Sequence, residues 1–168
     1  RALDLGCGDG KNALHLERLG YDVTGVESCG EALGGLRSRF RASSHEPRGR
    51  YICIDVSAWL PDGEFELIVS YGLYHCLEPR DRAALHRRFL ESLRPGGLFL
   101  FTCLTDRLQI PPDHGTGRLY PARRDELEWL TDGLDVTRFE EGIIFETHPP
   151  SVGEHRHSAV WIAARAAS

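Results

Sequence analysis

The sequence contains no methionine, no long apolar run and no CxxC pair. Because no initiating Met is present and the first residue already lies in an apolar run, we expect the natural chain to begin earlier, with an N-terminal cover segment. No apolar stretch approaches the roughly 20 residues that span a bilayer, and no signal peptide is visible, which argues against a membrane protein. Five scattered cysteines are typical of reduced thiols in a cytoplasmic protein.

Positive charge is also scarce. The chain carries 20 Lys and Arg against 25 Asp and Glu, whereas a nucleic-acid partner favours a basic face, so the charge argues against one. The basic run RDRAALHRRFLESLR contains acids and one aromatic residue, and we interpret it as the solvated face of an amphipathic helix. With 41% hydrophobic residues, the composition predicts one globular domain over residues 1–168.

Apolar runs alternate with helical repeats along the first part of the chain. Strands are predicted at residues 1–5, 21–27, 51–56, 66–71 and 98–103, and helices at 11–19, 31–42 and 80–93. A loop at 105–120 and a short helix at 123–130 precede two strands, 135–141 and 158–165, that no helix joins. The fold predicted is α/β: a doubly wound, mostly parallel seven-stranded sheet with helices on both faces and an antiparallel C-terminal strand.

Three glycines at alternate positions, Gly6, Gly8 and Gly10, follow the first predicted strand. Ligands of such sheets bind beyond the carboxyl ends of the strands, where glycine lets a ligand approach the backbone closely. A tight turn without a ligand is the alternative. A dinucleotide site would place its third glycine at position 11, which is Lys11. Asp4 would repel a pyrophosphate, and it suits a ligand that carries an ammonium group.

Two further carboxylates end predicted strands on the same edge of the sheet. Glu27 lies 21 residues after Gly6, where a carboxylate can accept hydrogen bonds from ribose hydroxyls. Asp55 ends the third predicted strand, where it can accept a hydrogen bond from an adenine amino group while Val56 or Trp59 packs near the ring. A helix cap or a turn is the alternative interpretation of Asp55.

The segments DLGCGDG, FELIVSYGLYHCL and LRPGGLFLFT, together with Glu27 and Asp55, resemble a class I S-adenosylmethionine-dependent methyltransferase. GKNALHLERLGYDVTGVE is similar to the tellurite-resistance (TehB-like) group of that family. The resemblance implies S-adenosylmethionine as cofactor, with S-adenosylhomocysteine as product. It also implies which part of the chain contacts each part of the cofactor. The glycine loop would contact the methionine part, the end of the second strand the ribose, the end of the third the adenine, and the end of the fourth the amino-acid end. In that order, the residues implied are Asp4, Gly6, Cys7 and Gly8; Glu27 and Ser28; Asp55 and Val56; and Ser70 and Tyr71.

The acceptor side is less defined by the sequence. Methyl transfer from a sulfonium needs mainly proximity, so a general base is optional. His75 is a candidate base, and packing of a short helix is its alternative role. The resemblance implies a substrate-side histidine near the final hairpin, which makes His148 a second candidate, with Arg156 or His157 beside it. We expect a small-molecule acceptor with an O, N, S or chalcogen nucleophile. Neither that atom nor the oligomeric state is indicated.

Two histidines of the last hairpin, His155 and His157, share one face of a predicted strand. No carboxylate or Cys lies at a typical ligand spacing along the sequence, so we expect no metal site. Two other functions remain open: an NAD-type oxidoreductase on a similar sheet, and a domain that binds S-adenosylmethionine without catalysis.

Overall fold

The computed structural model describes residues 1–110, 118–148 and 152–167. Strands and helices alternate up to β3, which β4 follows without a helix between them, and a long hairpin follows the last helix. The strands are β1 (Ala2–Leu5), β2 (Val23–Glu27), β3 (Arg50–Cys53), β4 (Phe65–Tyr71), β5 (Leu93–Thr105), β6 (Leu134–His148) and β7 (Val152–Ala166). The helices are α1 (Lys11–Arg18), α2 (Gly30–Ala42), α3 (Pro79–Glu91) and α4 (Arg124–Leu130), and a 3₁₀ turn covers Tyr74–Cys76.

The seven strands form one mixed sheet in the order β3-β2-β1-β4-β5-β7-β6. All neighbours from β3 to β5 are parallel, and β7 is antiparallel to both β5 and β6. A seven-stranded α/β sheet with an antiparallel C-terminal strand is therefore confirmed. The chain runs from β1 towards β3 on one side and from β4 towards β5 on the other, so the strand order reverses between β1 and β4. Ligands of open α/β sheets bind at such a point.

Apolar side chains cover both faces of the sheet. Because successive strand residues point to opposite faces, neighbours along β1 and β4 belong to different clusters. One cluster joins strand residues to α3 and α4 and includes Leu3, Ile68, Leu85, Phe89, Leu127 and Leu130. The other joins strand residues to α1 and α2 and includes Ala2, Leu67, Leu14, Leu16, Leu36 and Phe40. The two clusters fix the strand ends from which the candidate site is built.

Three boundaries differ from the sequence prediction. Strand β3 ends at Cys53, so Asp55 lies two residues beyond the strand that was predicted to contain it. Helix α3 ends at Glu91, and Leu93 already pairs with Phe65, so the Pro-Gly-Gly segment at 95–97 lies in a bulged start of β5 rather than at a helix end. The hairpin strands have 15 residues each, about twice the predicted length, because their backbone pairing continues to His148 and Val152 beside the turn.

The basic run at residues 80–94 departs from its predicted solvated face at His86, whose ring packs against Phe99 and Trp129, and most clearly at Arg82. Arg82 is 1% exposed, although the other arginines of α3 lie at the surface. It precedes Leu85 by three residues and Phe89 by seven, which places it on the buried side of the helix. Within the described residues no helix is long and apolar enough to cross a membrane.

Candidate active site

The glycine loop begins directly after β1. The backbone N–H groups of Gly6 and Cys7 both donate to the carbonyl of Val26, at 2.8 and 3.1 Å, which binds the loop to β2. Gly8 and Gly10 both have positive φ, 52° and 79°. A Cβ at Gly10 would lie 2.6 Å from the Leu36 side chain, whereas a Cβ at Gly8 would meet nothing within 4 Å. Gly10 therefore permits helix packing, and Gly8 leaves space for a ligand.

Glu27 is held against this loop from the neighbouring strand. Its Oε2 accepts a hydrogen bond from the backbone N–H of Gly8 at 3.0 Å. Its Oε1 accepts one from the N–H of Cys29 at 2.8 Å and a longer one from the Ser28 hydroxyl at 3.4 Å. The exposed Ser28 thus supports Glu27 from the start of the next loop. These bonds fix the carboxylate in place at the carboxyl edge of the sheet.

Asp4 lies beneath the loop in the middle of the fold. Its side chain is fully buried, and among the described residues no side chain donates to its carboxylate, whose contact with the backbone N–H of Ala13 is too weak to count as a full hydrogen bond. Burial raises the pKa of Asp4 to about 7, the Ala13 backbone N–H opposes that rise, and the negative charge of Glu27 adds to it. A buried carboxylate without a partner costs several kcal/mol unless a cation or donor satisfies it. The arrangement therefore suits a cationic ligand.

Cys7 lies between the two acids and is buried. Burial, with the negative charges of Asp4 and Glu27, raises the pKa of the Cys7 thiol to about 12. The group therefore remains a thiol at neutral pH, and a thiolate nucleophile is disfavoured. A Cβ on Gly25 would lie 2.9 Å from its sulfur, so the side chain packs over Gly25 of β2 on the face covered by α1 and α2.

The residues after β3 form a turn at the same edge. Asp55 is exposed, and its Oδ1 accepts a hydrogen bond from the backbone N–H of Ser57 at 2.7 Å. Hydrogen bonds from Ser57 lower the pKa of Asp55, so it is ionised at neutral pH. Val56 is buried in the α3–α4 cluster together with Trp59. The turn-forming alternative for Asp55 is thus realised in the structure, and the carboxylate still lies at the edge.

Strand β4 ends beside β1. Ser70 is buried and pairs with Leu5 on one side and Phe101 on the other, whereas Tyr71 is 56% exposed at the end of the strand. Gly72 follows with a φ of 77° and leads into the 3₁₀ turn. The predicted contacts of β4 and of the glycine loop therefore lie on either side of the point where the strand order reverses.

A cavity of about 290 Å³ lies beyond β4 and β5. Its wall combines aromatic and aliphatic groups with a few polar ones, among them Tyr71, His75, Cys76, Thr102, Leu119, Ile144, Glu146 and Trp161. The volume is close to the lower end of the range for small-molecule sites. This cavity, which adjoins the end of β4, is the candidate acceptor pocket.

His75 lies in the wall of the acceptor pocket on the 3₁₀ turn. Its Nδ1 accepts a hydrogen bond from the backbone N–H of Leu104 at 3.1 Å. A neutral imidazole that accepts at Nδ1 carries its hydrogen at Nε2. In this form the ring donates a hydrogen bond at Nε2 and does not accept a proton there. The geometry supports His75 as a donor more than as a general base.

The 3₁₀ turn is fastened to two helices by a buried ion pair. Arg82 donates to Oε1 of Glu126 at 2.8 Å and lies over the Tyr74 ring, 4.4 Å from its centroid. The guanidinium also donates to the Leu77 carbonyl at 3.2 Å and to the carbonyl of Tyr120. This pair was not predicted from the sequence. It holds one wall of the acceptor pocket in position.

The final hairpin brings together three groups that the sequence separates. Glu146 lies opposite His155 across β6 and β7, and the Nε2 of His157 lies 3.8 Å from Oε2 of Glu146. The backbone of His148 pairs with Val152 near the turn, and its side chain lies outside the described part. Arg156 is exposed. Glu146 was missed because its proximity depends on the strand register, which the residue order alone does not reveal.

Comparisons with known proteins agree with this arrangement. Residues 2–97 match the family model of a methyltransferase domain. The chain is 29% identical over 114 residues to thiocyanate methyltransferase 1 of Arabidopsis thaliana, with 67% of this chain and 50% of that protein covered. The structure of TehB from Haemophilus influenzae superposes with a TM-score of 0.82 at 21% identity, covering 98% of this chain and 57% of the other.

A second solved structure contains a bound product. The 1,6-didemethyltoxoflavin-N1-methyltransferase of Burkholderia thailandensis, with bound S-adenosylhomocysteine, superposes with a TM-score of 0.68 at 21% identity over 99% of this chain and 71% of that chain. Identities at this level establish a shared fold. The chain spans half or less of the length of the curated relatives it matches.

Proposed function

This chain belongs to the S-adenosylmethionine-dependent methyltransferases, and we propose that it transfers a methyl group from that cofactor to a small-molecule acceptor. The observation that carries the proposal is the buried carboxylate of Asp4, to which no side chain among the described residues donates and which lies under the open glycine loop. The family match also favours this function over an NAD-type oxidoreductase.

The residues present fit the cofactor. Asp4 needs a cationic partner, and S-adenosylmethionine carries both an ammonium and a sulfonium group. The free space above Gly8 allows a ligand to contact the backbone. Glu27, already fixed by loop N–H groups, offers its carboxylate to the two ribose hydroxyls. Asp55 is ionised at the adjacent edge and suits the adenine amino group.

The remaining predicted contacts have supporting roles. Cys7 and Ser28 are assigned to the walls of the methionine and ribose parts of the site, and Gly6 to the loop that encloses them. Val56 offers its backbone and an apolar surface beside the adenine. Ser70 and Tyr71 at the end of β4 are assigned to the amino-acid end of the cofactor, and Tyr71 also lines the acceptor pocket.

Positioning accounts for most of the proposed catalysis. When bound, the cofactor supplies an electrophilic methyl group whose leaving group departs without charge. The chain then has to hold the acceptor in line at near-attack distance, an effect worth up to about 7–11 kcal/mol. The rigid wall set by Arg82 and Glu126 serves that purpose. His75 donates a hydrogen bond that orients the acceptor, and a thiolate or chalcogen oxyanion needs no base.

A small-molecule acceptor is supported by the size of the pocket, about 290 Å³, and by the small substrate named for the Burkholderia thailandensis enzyme. The net charge of −5 again argues against nucleic acid. We retain the expectation of a cytoplasmic location, which agrees with five free cysteines. The doubly wound description is supported by apolar clusters on both faces of the sheet.

The cofactor assignment is tested by calorimetry with S-adenosylhomocysteine. Gly8→Val should abolish binding because its side chain enters the ligand space. Gly20→Val is the matched control, since Gly20 also has positive φ, 92°, and open space around its Cβ position but lies at the far end of α1. Equal affinity of the two variants would refute the site.

Turnover is tested separately with labelled S-adenosylmethionine against panels of thiols, phenols, amines and chalcogen oxyanions. Transfer to at least one small acceptor, lost in Gly8→Val, is the expected result. Cofactor binding without transfer to any compound would instead favour a domain that binds the cofactor without catalysis.

A further inference from the structure

We propose that Glu146, His155 and His157 form a binding site for one divalent transition-metal ion, with Zn²⁺ as the best fit. Two imidazoles and a carboxylate are a donor set typical of zinc sites that keep a coordination position open. Metal binding here is independent of the methyl-transfer function. No carboxylate lies at ligand spacing along the sequence, and the register of the hairpin supplies one by placing Glu146 opposite His155.

The three side chains already lie at nearly the separation that a metal requires. One donor atom from each residue can be chosen so that all three lie within 4.8 Å of one another. The rings of His155 and His157 are 4.6 Å apart between centroids and nearly perpendicular, at 89°. Bonds of about 2.0–2.1 Å in a tetrahedral site place donor atoms about 3.3 Å apart. The donor atoms therefore have to approach one another by at most about 1.5 Å to complete the site.

The orientation of His155 is a second, independent indication. Its Nδ1–H donates to the carbonyl of Gly153 at 2.8 Å, since a carbonyl oxygen only accepts. The neutral ring then carries its lone pair at Nε2. Metal-binding histidines almost always donate their other ring N–H to a carbonyl or carboxylate in this way, which fixes the tautomer and the ring orientation.

The strand around His157 is rigid. His157 is 1% exposed, and the neighbouring Ser158 donates to the Thr105 carbonyl at 2.9 Å while accepting from the N–H of Leu108 at 3.0 Å. The hairpin is thus fastened to the end of β5 at the position of the cluster. Rigid supporting strands favour a preorganised metal site over an adaptable surface ion pair.

The position of Glu146 connects the site to the acceptor pocket, which it lines together with His75. An ion held by Glu146 would offer its open coordination position to an anionic or thiol acceptor. This last step rests on the proposed function, whereas the binding of the ion does not. A failure of the methyl-transfer proposal therefore leaves the metal proposal standing, and the reverse holds as well.

The test uses the whole chain, stripped with a chelator and dialysed against Zn²⁺ or Co²⁺. We expect one ion per chain by elemental analysis and a tetrahedral cobalt absorption without sulfur-to-cobalt charge transfer, since no cysteine belongs to the cluster. Glu146→Gln and His155→Gln should each weaken binding by at least about 100-fold, more than the loss of a supporting residue. Binding of S-adenosylhomocysteine should be unchanged in His155→Gln, which lies outside the lining of the acceptor pocket.

Matched controls are His15→Gln and Glu154→Gln, which remove an exposed histidine and an exposed acid outside the cluster. Both should bind the metal as the unmodified chain does. Thermal unfolding without metal establishes that each variant is folded. Glu146 and His155 are chosen for substitution because they are partly exposed, whereas replacing the buried His157 could unfold the protein. The proposal is overturned if the unmodified chain retains no stoichiometric ion, if Glu146→Gln and His155→Gln bind like the controls, or if the spectrum shows cysteine ligands. Any of these results would leave a plain ion pair between Glu146 and His157.

Discussion

Replacing Asp4 by Asn should stabilise the protein at high pH and weaken cofactor binding at the same time. The pKa of Asp4 rises from 3.8 to about 7 on folding, chiefly because the group is buried. A raised carboxyl pKa means that the folded state favours the neutral acid. Its contribution to stability is complete below 3.8 and is lost progressively as the pH rises through 7. Asn is neutral throughout and carries no such loss.

The magnitude follows from the size of the pKa shift. Each unit is worth about 1.4 kcal/mol, so ionised Asp4 destabilises the fold by about 4 kcal/mol at pH 8 and by less than about 1 kcal/mol at pH 4. For a chain of this length, that difference raises the melting temperature of Asp4→Asn by roughly 10 °C at pH 8. Urea unfolding at both pH values measures the two free energies directly.

Although Asp4→Asn should raise stability at high pH, it should lower the affinity for S-adenosylhomocysteine. The Asn variant loses a charged partner for the ligand ammonium group, which is worth about 1.5–3 kcal/mol, or roughly a 10- to 150-fold loss of affinity for S-adenosylhomocysteine. In the unmodified protein the affinity should rise as the pH passes 7, because the ligand favours the ionised carboxyl. The variant should lack this dependence.

The control for this experiment is Asp22→Asn, which alters a carboxylate that is 74% exposed. It should change neither the pH profile nor the affinity. The reasoning is refuted if Asp4→Asn stabilises the protein equally at pH 4 and pH 8, or if it binds S-adenosylhomocysteine as tightly as the unmodified chain.

Four further outcomes are expected. Glu27→Ala should weaken S-adenosylhomocysteine binding by about 1.5–3 kcal/mol in calorimetry, and an unchanged affinity would place the ribose elsewhere. Arg82→Met should lower the free energy of unfolding by about 3–5 kcal/mol, because Glu126 is left buried without its cation, whereas Arg80→Met, on the exposed side of α3, should cost little. Glu17→Gln should destabilise the protein by about 2–3 kcal/mol at pH 7, with less effect near pH 3. Burial raises the pKa of Glu17, but hydrogen bonds from Tyr51, Gly49, Arg48 and His45 lower it overall, so its stabilisation is present above pH 4.5 and disappears as the pH falls. His75→Phe should raise KM for the acceptor and leave cofactor affinity unchanged, and steady-state kinetics that show the reverse would exclude the donor role.

The first five strands and the glycine loop were predictable because each has a strong local signal. Strands buried on both faces consist of continuous apolar runs, as in β4. The spacing of Gly6, Gly8 and Gly10 distinguishes the loop from a dinucleotide site without any tertiary information. The third strand was predicted to end with Asp55, but it ends two residues earlier, at Cys53. The end of β3 depends on its pairing with β2, which local sequence does not reveal.

The features that were missed depend on contacts between distant parts of the chain. Glu146 approaches His155 only through the register of a hairpin whose strands exceed their predicted length. Arg82 belongs by residue type to the surface, and its burial is set by Glu126, 44 positions away. The tautomer of His75 is fixed by a backbone amide on another strand. Residue type suggests the chemistry of such groups, and the fold alone decides their partners.

The hydrogen bond from the Gly8 amide to Glu27 has a consequence for the catalytic cycle. The bond is made within the protein itself and fixes the Glu27 carboxylate, so a ribose that binds there has little further structure to order on association. S-adenosylhomocysteine has the same ribose and amino-acid end as S-adenosylmethionine. The ordered Glu27 carboxylate should therefore bind the ribose of the product as tightly as that of the methyl donor. We therefore expect the release of S-adenosylhomocysteine to be the slow step of turnover.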